Sequence, residues 1–434
     1  MRKKLSSALV ISVALACFLG SPDPVRAQGN TWAGINLGQM IDAARLRLGA
    51  LRLNASFELA NAGYDSDVYF GYLDEAVPDY TFSAGLPVQV LLPLSKKVVL
   101  DVSDTPQYLF YLDTERERAW NNSFQGLVHF ALDAIYLQAG LESANVRRRL
   151  SPELDANVRE KRDGYNGLAL WQLSRMTSLA LIYGGAEYRY SDAEYLGTNI
   201  ADRLGRREDF FDFVTYVQPG PRTRIFVDGQ FGTYKFTATE AANRNAKSYA
   251  FFGGIEFIPR AGEVLQRMGI RGSASLGYTR FDIDEPGVPD GSGITGRADV
   301  SFEFLKKTTG RLTFSRGFQF SIYSGASFYL MTRYGAGIAR RLSRRASLNY
   351  DFSYTNNDYP GDSGFEGVNN RFLSHSFSLD LRLARNLDLT LLGSFSQRTR
   401  YATDPVRNRN FIGMSLTYGF RRVGMSAPVG GLSR

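Results

Sequence analysis

Few residues of this 434-residue chain could do chemistry: two histidines, one cysteine and several groups of carboxylates. A Ser-His-Asp relay needs a histidine oriented by a carboxylate, with a nucleophile in reach. His129 stands in Gly126-Leu-Val-His-Phe-Ala-Leu132 and His375 in Ser374-His-Ser376, and no Gly-x-Ser-x-Gly nucleophile motif accompanies either. His129 falls on the face opposite Val128, Phe130 and Leu132, and so should point away from apolar surroundings. His375 shares the face of Leu373 and Phe377 and suits an interfacial position near a rim. An ordinary hydrogen-bonded or interfacial histidine accounts for both, so no catalytic residue is nominated.

Metal chemistry has one weak candidate. Asp282, Asp284, Glu285 and Asp290 gather oxygen donors that a hard cation could use, but they lack the glycine and the closing glutamate of an EF-hand loop. A solvated acidic loop is the plainer reading. The same holds for Asp65, Asp67, Asp74, Glu75 and Asp79, and no cofactor-binding motif stands out. Cys17 lies in the N-terminal apolar run, so neither a disulfide framework nor a thiolate metal site can form downstream of it.

The charges that carry most information sit at every second position. Arg297, Asp299 and Glu303 alternate with Ala298, Val300, Phe302 and Phe304. Asp351 alternates with Tyr350 and Phe352, Asp380 and Arg382 with Leu379, Leu381 and Leu383, and Asp388 with Leu387 and Leu389; Arg398 continues that last face. A period of two puts apolar groups on one face of a strand and these charges on the other. The charged face would be either a water-filled wall that selects solutes or a set of stabilising ion pairs. Both signs are present, so no strong ion preference follows. Basic turns (Lys96, Lys97, Lys306, Lys307, Arg340, Arg341, Arg344 and Arg345) would form one rim. They fit solvated turn charges, with a partner bearing an acidic face as the alternative.

The elements that must position these side chains are long strands. Many alternating segments run ten residues or more, beyond the usual five or six of soluble strands. Short connections such as Leu94-Ser-Lys-Lys97 and Ala384-Arg-Asn-Leu387 alternate with longer ones such as 192–208 and 356–370. This places tight turns at one end and long loops at the other. The pattern predicts an all-β fold: a transmembrane, antiparallel, up-and-down β-barrel of about 18 strands (16–18) spanning 45–420. A soluble sandwich or propeller would also alternate, but would not alternate its turn lengths in this way. Candidate girdle aromatics are Tyr183, Tyr188, Tyr190, Tyr350, Tyr354, Tyr418 and Phe420.

The N-terminus agrees with export. Met1-Arg-Lys-Lys4, an apolar run from Leu5 to Gly20 and Val25-Arg-Ala27 have the layout of a cleavable signal peptide over 1–27. Residues 28–44 would be a short periplasmic segment, and 421–434, with Gly424, Pro428, Gly430 and Gly431, a disordered tail. The net charge of +8 is modest for the length and spread along the chain, so nucleic-acid binding is not indicated.

Near the end, Gly413, Leu416, Tyr418 and Phe420 resemble the terminal-strand signal that such barrels present to their assembly machinery. Together with Arg45–Phe70 and Ser151-Pro-Glu-Leu-Asp-Ala-Asn-Val-Arg159, the stretch Ser415–Phe420 is similar to the putative beta-barrel porin 2 family. The resemblance implies a bacterial outer-membrane channel, contacts with outer-membrane lipids, and insertion by the barrel-assembly machinery. It also implies, more distantly, the exit route of an exopolysaccharide or capsule, with polysaccharide and periplasmic export components as partners. The family supplies no catalytic residues. A barrel with a closed lumen that binds polymer through its loops is the alternative, and a membrane-embedded hydrolase comes last.

Overall fold

The computed structural model describes residues 37–42, 44–70, 75–150, 153, 157–191, 194–195, 198–220, 222–238, 244–257, 269–284, 290–323, 326–359, 368–401 and 406–419. The 1–27 segment, Phe420 and the 421–434 tail lie outside these residues. Successive antiparallel strands form one sheet closed on itself, an 18-stranded barrel. We label the wall strands β1 (Leu51–Asp65), β2 (Asp79–Gly85 and Val88–Ser95), β3 (Val98–Asp104 and Gln107–Tyr111), β4 (Ala119–Ala131), β5 (Ile135–Arg149) and β6 (Asn157–Gln172). They continue as β7 (Thr177–Tyr190), β8 (Arg206–Gly220), β9 (Thr223–Phe236), β10 (Ala246–Phe257), β11 (Ile270–Ile283) and β12 (Gly291–Leu305). The last six are β13 (Thr308–Phe320), β14 (Phe328–Arg341), β15 (Ala346–Asp358), β16 (Val368–Ala384), β17 (Leu387–Tyr401) and β18 (Arg407–Gly419).

Closure pairs β18 with β1, with Ser56 opposite Gly419, Leu59 opposite Leu416 and Tyr64 opposite Ile412. A bulge between Leu59 and Ala62 interrupts this seam. There Asn61 takes a left-handed φ of 52°, which asparagine tolerates, and its N–H donates to Ser415 Oγ at 3.0 Å. The wall starts at Leu51, later than the expected Arg45. Gly49, at φ 62°, reverses the chain so that Leu46–Leu48 folds back onto Leu51–Leu53. Strands β2 and β3 each break beside a proline, Pro87 and Pro106, which cannot donate to the ladder. Cross-strand bonds continue past the break through the Pro87 and Pro106 carbonyls, which accept from Ser56 N and Leu86 N.

Alternation sorts the wall into two faces. On β18, Ile412 is 71% exposed, and Met414 and Tyr418 are exposed beside it, while Phe411 between such positions is buried. The outward set on β16 runs Leu373, His375, Phe377, Leu379, Leu381 and Leu383, a band about as tall as the hydrocarbon layer a barrel must match. Two of the proposed girdle residues belong elsewhere. Tyr183 is exposed on the outside, but Tyr188 and Tyr190 sit an odd number of positions away and so point inward, where Arg206 stacks on the Tyr188 ring at 4.9 Å. Position near a strand end does not decide the face; parity does.

Candidate functional site: an off-centre lumen

The interior is unevenly filled. At the tight-turn end, the short helix Leu37–Asp42 lies against inward side chains of β3 to β9: Leu37 joins Val99, Tyr136, Leu170, Val214 and Phe226 in one apolar cluster. This described part of the N-terminal segment therefore lies within the barrel mouth.

At the long-loop end, the β13–β14 hairpin leaves the wall. Pairing of β13 with β12 stops at Arg316 opposite Gly296, whereas β13 and β14 stay paired to Phe320 and Phe328. Freed on that side, the tip leans inward. Phe318 and Phe328 pack on the Phe281 ring, and Phe320 packs on Tyr234 and Phe236. Three side chains from other connections clamp it. Arg244 donates to the carbonyls of Ser321 (2.8 Å), Ser327 (2.7 Å) and Arg203 (2.6 Å). Arg203, on the short helix Ile200–Leu204, donates to the Tyr323 and Ala326 carbonyls. Glu153, fully buried, accepts from Ser321 Oγ (2.9 Å), Ile322 N (3.0 Å) and the Tyr359 hydroxyl. Burial pushes the Glu153 carboxyl up to about 7 in spite of these donors.

The same half of the barrel carries inward ion pairs on β5 and β6, Arg162 with Glu142 at 2.8 Å and Arg148 with Glu160 at 2.9 Å, and on β9 and β10, Arg224 with Glu256 at 2.6 Å. A buried pair is stable when both partners are present and geometry is good, and becomes costly when one is removed.

The opposite half of the interior, walled mainly by β11 to β18 and β1, encloses a cavity of about 1430 Å³. Seven of the eight residues assigned to the charged face from sequence line it: Arg297, Asp299, Glu303, Asp351, Asp380, Arg382 and Asp388. Arg398 does not. It is 1% exposed, three positions from the loop-end limit of β17 at a depth where inserted loop residues cover the wall. The first long loop turns in at that level: Arg149 donates to the Tyr69 carbonyl, while Asp65 and Asp67 pair with Arg409 and Arg407. Parity gives a residue's face but not its height along the strand.

Within the cavity several of the charges meet partners across the strands. Arg311 grips Asp299 with two bonds of 2.8 and 2.5 Å, and Arg382 faces Asp388 at 3.5 Å. Asp380 accepts from Asn349 Nδ2 and Thr390 Oγ1, both at 2.8 Å. Between them stand hydroxyls, among them Ser353, Ser374, Ser376, Ser378, Ser394 and Ser415. Such a wall offers hydrogen bonds in both directions and keeps water inside. The serines were legible at period two in Ser374-x-Ser376-x-Ser378. Arg311, Asn61 and the clamp residues Glu153, Arg203 and Arg244 were not singled out; the last three sit in connections, where no period marks them.

The remaining candidates have structural partners. His129 is buried and meets the Tyr136 hydroxyl through Nδ1 at 2.6 Å, on the inner face. His375 lies outside, second from the loop end of its apolar band, with Nδ1 2.9 Å from the Tyr350 hydroxyl. Asp282 and Asp290 both face Arg280, at 2.5 and 3.5 Å. Asp79 accepts the backbone N–H groups of Leu112, Asp113 and Thr114. Asp74 and Glu285 lie outside the described residues. Among the described residues no cluster of three or more His, Cys, Asp or Glu is arranged to hold a metal. In the terminal-strand set, Gly413 has a packing reason: a Cβ there would meet the Phe411 ring and, at 2.8 Å, the Ala62 carbonyl. Leu416 and Tyr418 share the outward face.

No curated protein matches the sequence. Among solved structures, the chain is similar to the outer membrane protein opdK of Pseudomonas aeruginosa, with 11% identity and a TM-score of 0.49, covering 85% of this chain and 98% of that one. It is also similar to OccAB2 of Acinetobacter baumannii, with 10% identity and a TM-score of 0.48, covering 85% and 98%. The family described as Putative beta-barrel porin 2 matches residues 175–421, more than half of the chain. The chain belongs to that family and is a bacterial outer-membrane β-barrel of the porin type.

Proposed function

We propose that the cargo of this channel is a secreted polysaccharide, passed without catalysis through the open half of the lumen. The observation that supports this is the hydroxyl- and amide-rich wall between paired charges. A sugar chain leaving water there exchanges its hydrogen bonds for equivalent ones, while neutralised pairs such as Arg311–Asp299 hold it only weakly. Outer-membrane lipids, the barrel-assembly machinery acting on the last strand, and periplasmic export components are the partners this reading entails. The test is a strain lacking the protein. Polymer should accumulate in the periplasm and disappear from the medium, and return with the wild-type gene. Unchanged surface polymer in the deleted strain would sink the cargo assignment while leaving the channel intact.

A second reading, a surface-binding barrel with a closed lumen, draws on the inward helix and hairpin. Folded protein that never opens in a planar bilayer would favour it.

A further inference from the structure

The tight-turn mouth of the open half-lumen carries an excess of cations. Lys307, Arg341, Arg344, Arg345 and Arg382 are all exposed and all line the cavity. They are neighbours because three successive turns are stitched together: Arg341 N donates to the Lys307 carbonyl and Arg382 N to the Arg345 carbonyl, each at 2.8 Å. Four carboxylates share this layer, one fewer than these cations: Glu303, Asp380, Asp388 and Glu58, which stands one strand beyond Thr417 from Asp388. Asp380 is already engaged by Asn349 and Thr390, and Asp388 by Arg382. Deeper in the same wall Arg311 is matched by Asp299 and Arg297 by Asp228, and Asp351 and Arg333 add one charge of each sign. The surplus is thus confined to the mouth.

Turn charges usually face open water and attract little. These differ in bordering a concave, low-dielectric opening, which concentrates the field of like charges and raises the local concentration of counter-ions. Guanidinium groups also match carboxylates with two parallel bonds. We propose that this mouth is a capture vestibule for carboxylate-bearing solutes entering from the periplasmic side, acidic polysaccharide in particular. The inference rests on the reading of the lumen as a channel and adds the chemistry and direction of its cargo. Captured polymer would then slide along the hydroxyl-lined wall, where cross-strand pairs such as Arg311–Asp299 hold it only weakly.

The test uses purified full-length barrel in planar bilayers, with polygalacturonate, galacturonate and neutral dextran as probes. Under a KCl gradient the open channel should prefer chloride. Polygalacturonate added on the tight-turn side should block current at roughly tenfold lower concentration than on the loop side, and 1 M KCl should abolish the difference by screening. Dextran should block weakly and without sidedness. The variant Arg341→Gln/Arg344→Gln/Arg345→Gln should keep its conductance in symmetric KCl and need roughly tenfold more polymer for block. Block by galacturonate as effective per carboxylate as block by the polymer would point to small acids as cargo within the same vestibule chemistry. Cation preference, equal block from both sides, or an unchanged triple variant would each overturn the vestibule while the channel stands. In parallel, binding of fluorescent polygalacturonate to detergent-solubilised protein reads the mouth without conduction. Binding that the triple variant loses supports the vestibule even in a barrel that does not open, and binding absent from wild type overturns it.

Discussion

Glu153 offers the sharpest handle on the inward hairpin. Its carboxylate is the acceptor for Ser321 Oγ, Ile322 N and the Tyr359 hydroxyl, so it ties the 317–330 tip to two other connections. Burial raises the docked carboxyl to about 7 from an ordinary 4.5. The docked state therefore binds an extra proton between these values. Docking is strongest below pH 4.5 and weakens as pH rises through 7. Between pH 5 and pH 8 the linked change is roughly 2 to 3 kcal/mol, or about 50-fold in the opening equilibrium. Hydrogen exchange by mass spectrometry, on peptides covering 317–330 in micelles and corrected for intrinsic rates, reads it directly. Wild-type protection of the hairpin should be higher at pH 5 by about that factor, while peptides from the middle of β17 should show no such difference. Glu153→Gln removes the titrating group and should flatten the pH dependence. It should also lower protection at pH 5, because its amide N–H₂ faces donors that need an acceptor. An equal pH dependence in wild type and Glu153→Gln would refute the clamp.

The two faces of β18 make opposite predictions. Met414→Arg puts a charge among outward groups and should cost roughly 2–4 kcal/mol near the midplane, whereas Thr417→Arg, on the cavity side, should fold and insert normally; urea unfolding in lipid vesicles compares them. Glu256→Leu leaves Arg224 buried without its 2.6 Å partner and should destabilise by roughly 3–5 kcal/mol. Replacing both by Glu256→Leu and Arg224→Met should recover most of that loss in the same assay. Gly63→Ala drives a Cβ into the Ile412 carbonyl across the closing seam, so heat-modifiable gel mobility should reveal a fraction of unclosed barrel. A Gly63→Ala protein as resistant as wild type would show that the seam relaxes freely.

Much of the wall was legible because a strand repeats every two residues and a bilayer demands apolar groups outside. The runs Leu379–Leu383 and Ile412–Tyr418 fixed their faces in this way. What remained hidden was the filling of one half. Inward residues of β3 to β9 such as Val99, Leu170 and Val214 are themselves apolar, so alternation fades where an internal core forms. Phe318, Phe320 and Phe328 read as ordinary wall positions, and only the loss of pairing with β12 turns them inward. Arg398 shows a third limit: it has the right parity, but its height places it under the loops. The clamp of Glu153, Arg203 and Arg244 joins connections far apart in sequence, and aperiodic segments give no sign of such meetings.

The central claim is that the half of the lumen lined by Ser374, Ser376 and Ser378 is a water-filled conduction path. The chain holds a single cysteine, Cys17, so a thiol placed at Ser376→Cys can be addressed against the unsubstituted protein as control. Single-channel current should fall in one irreversible step when a bulky charged methanethiosulfonate reagent reaches that thiol, and the control should be unaffected. Steady current through the fully modified Ser376→Cys protein, or folded protein that never conducts, would contradict the account.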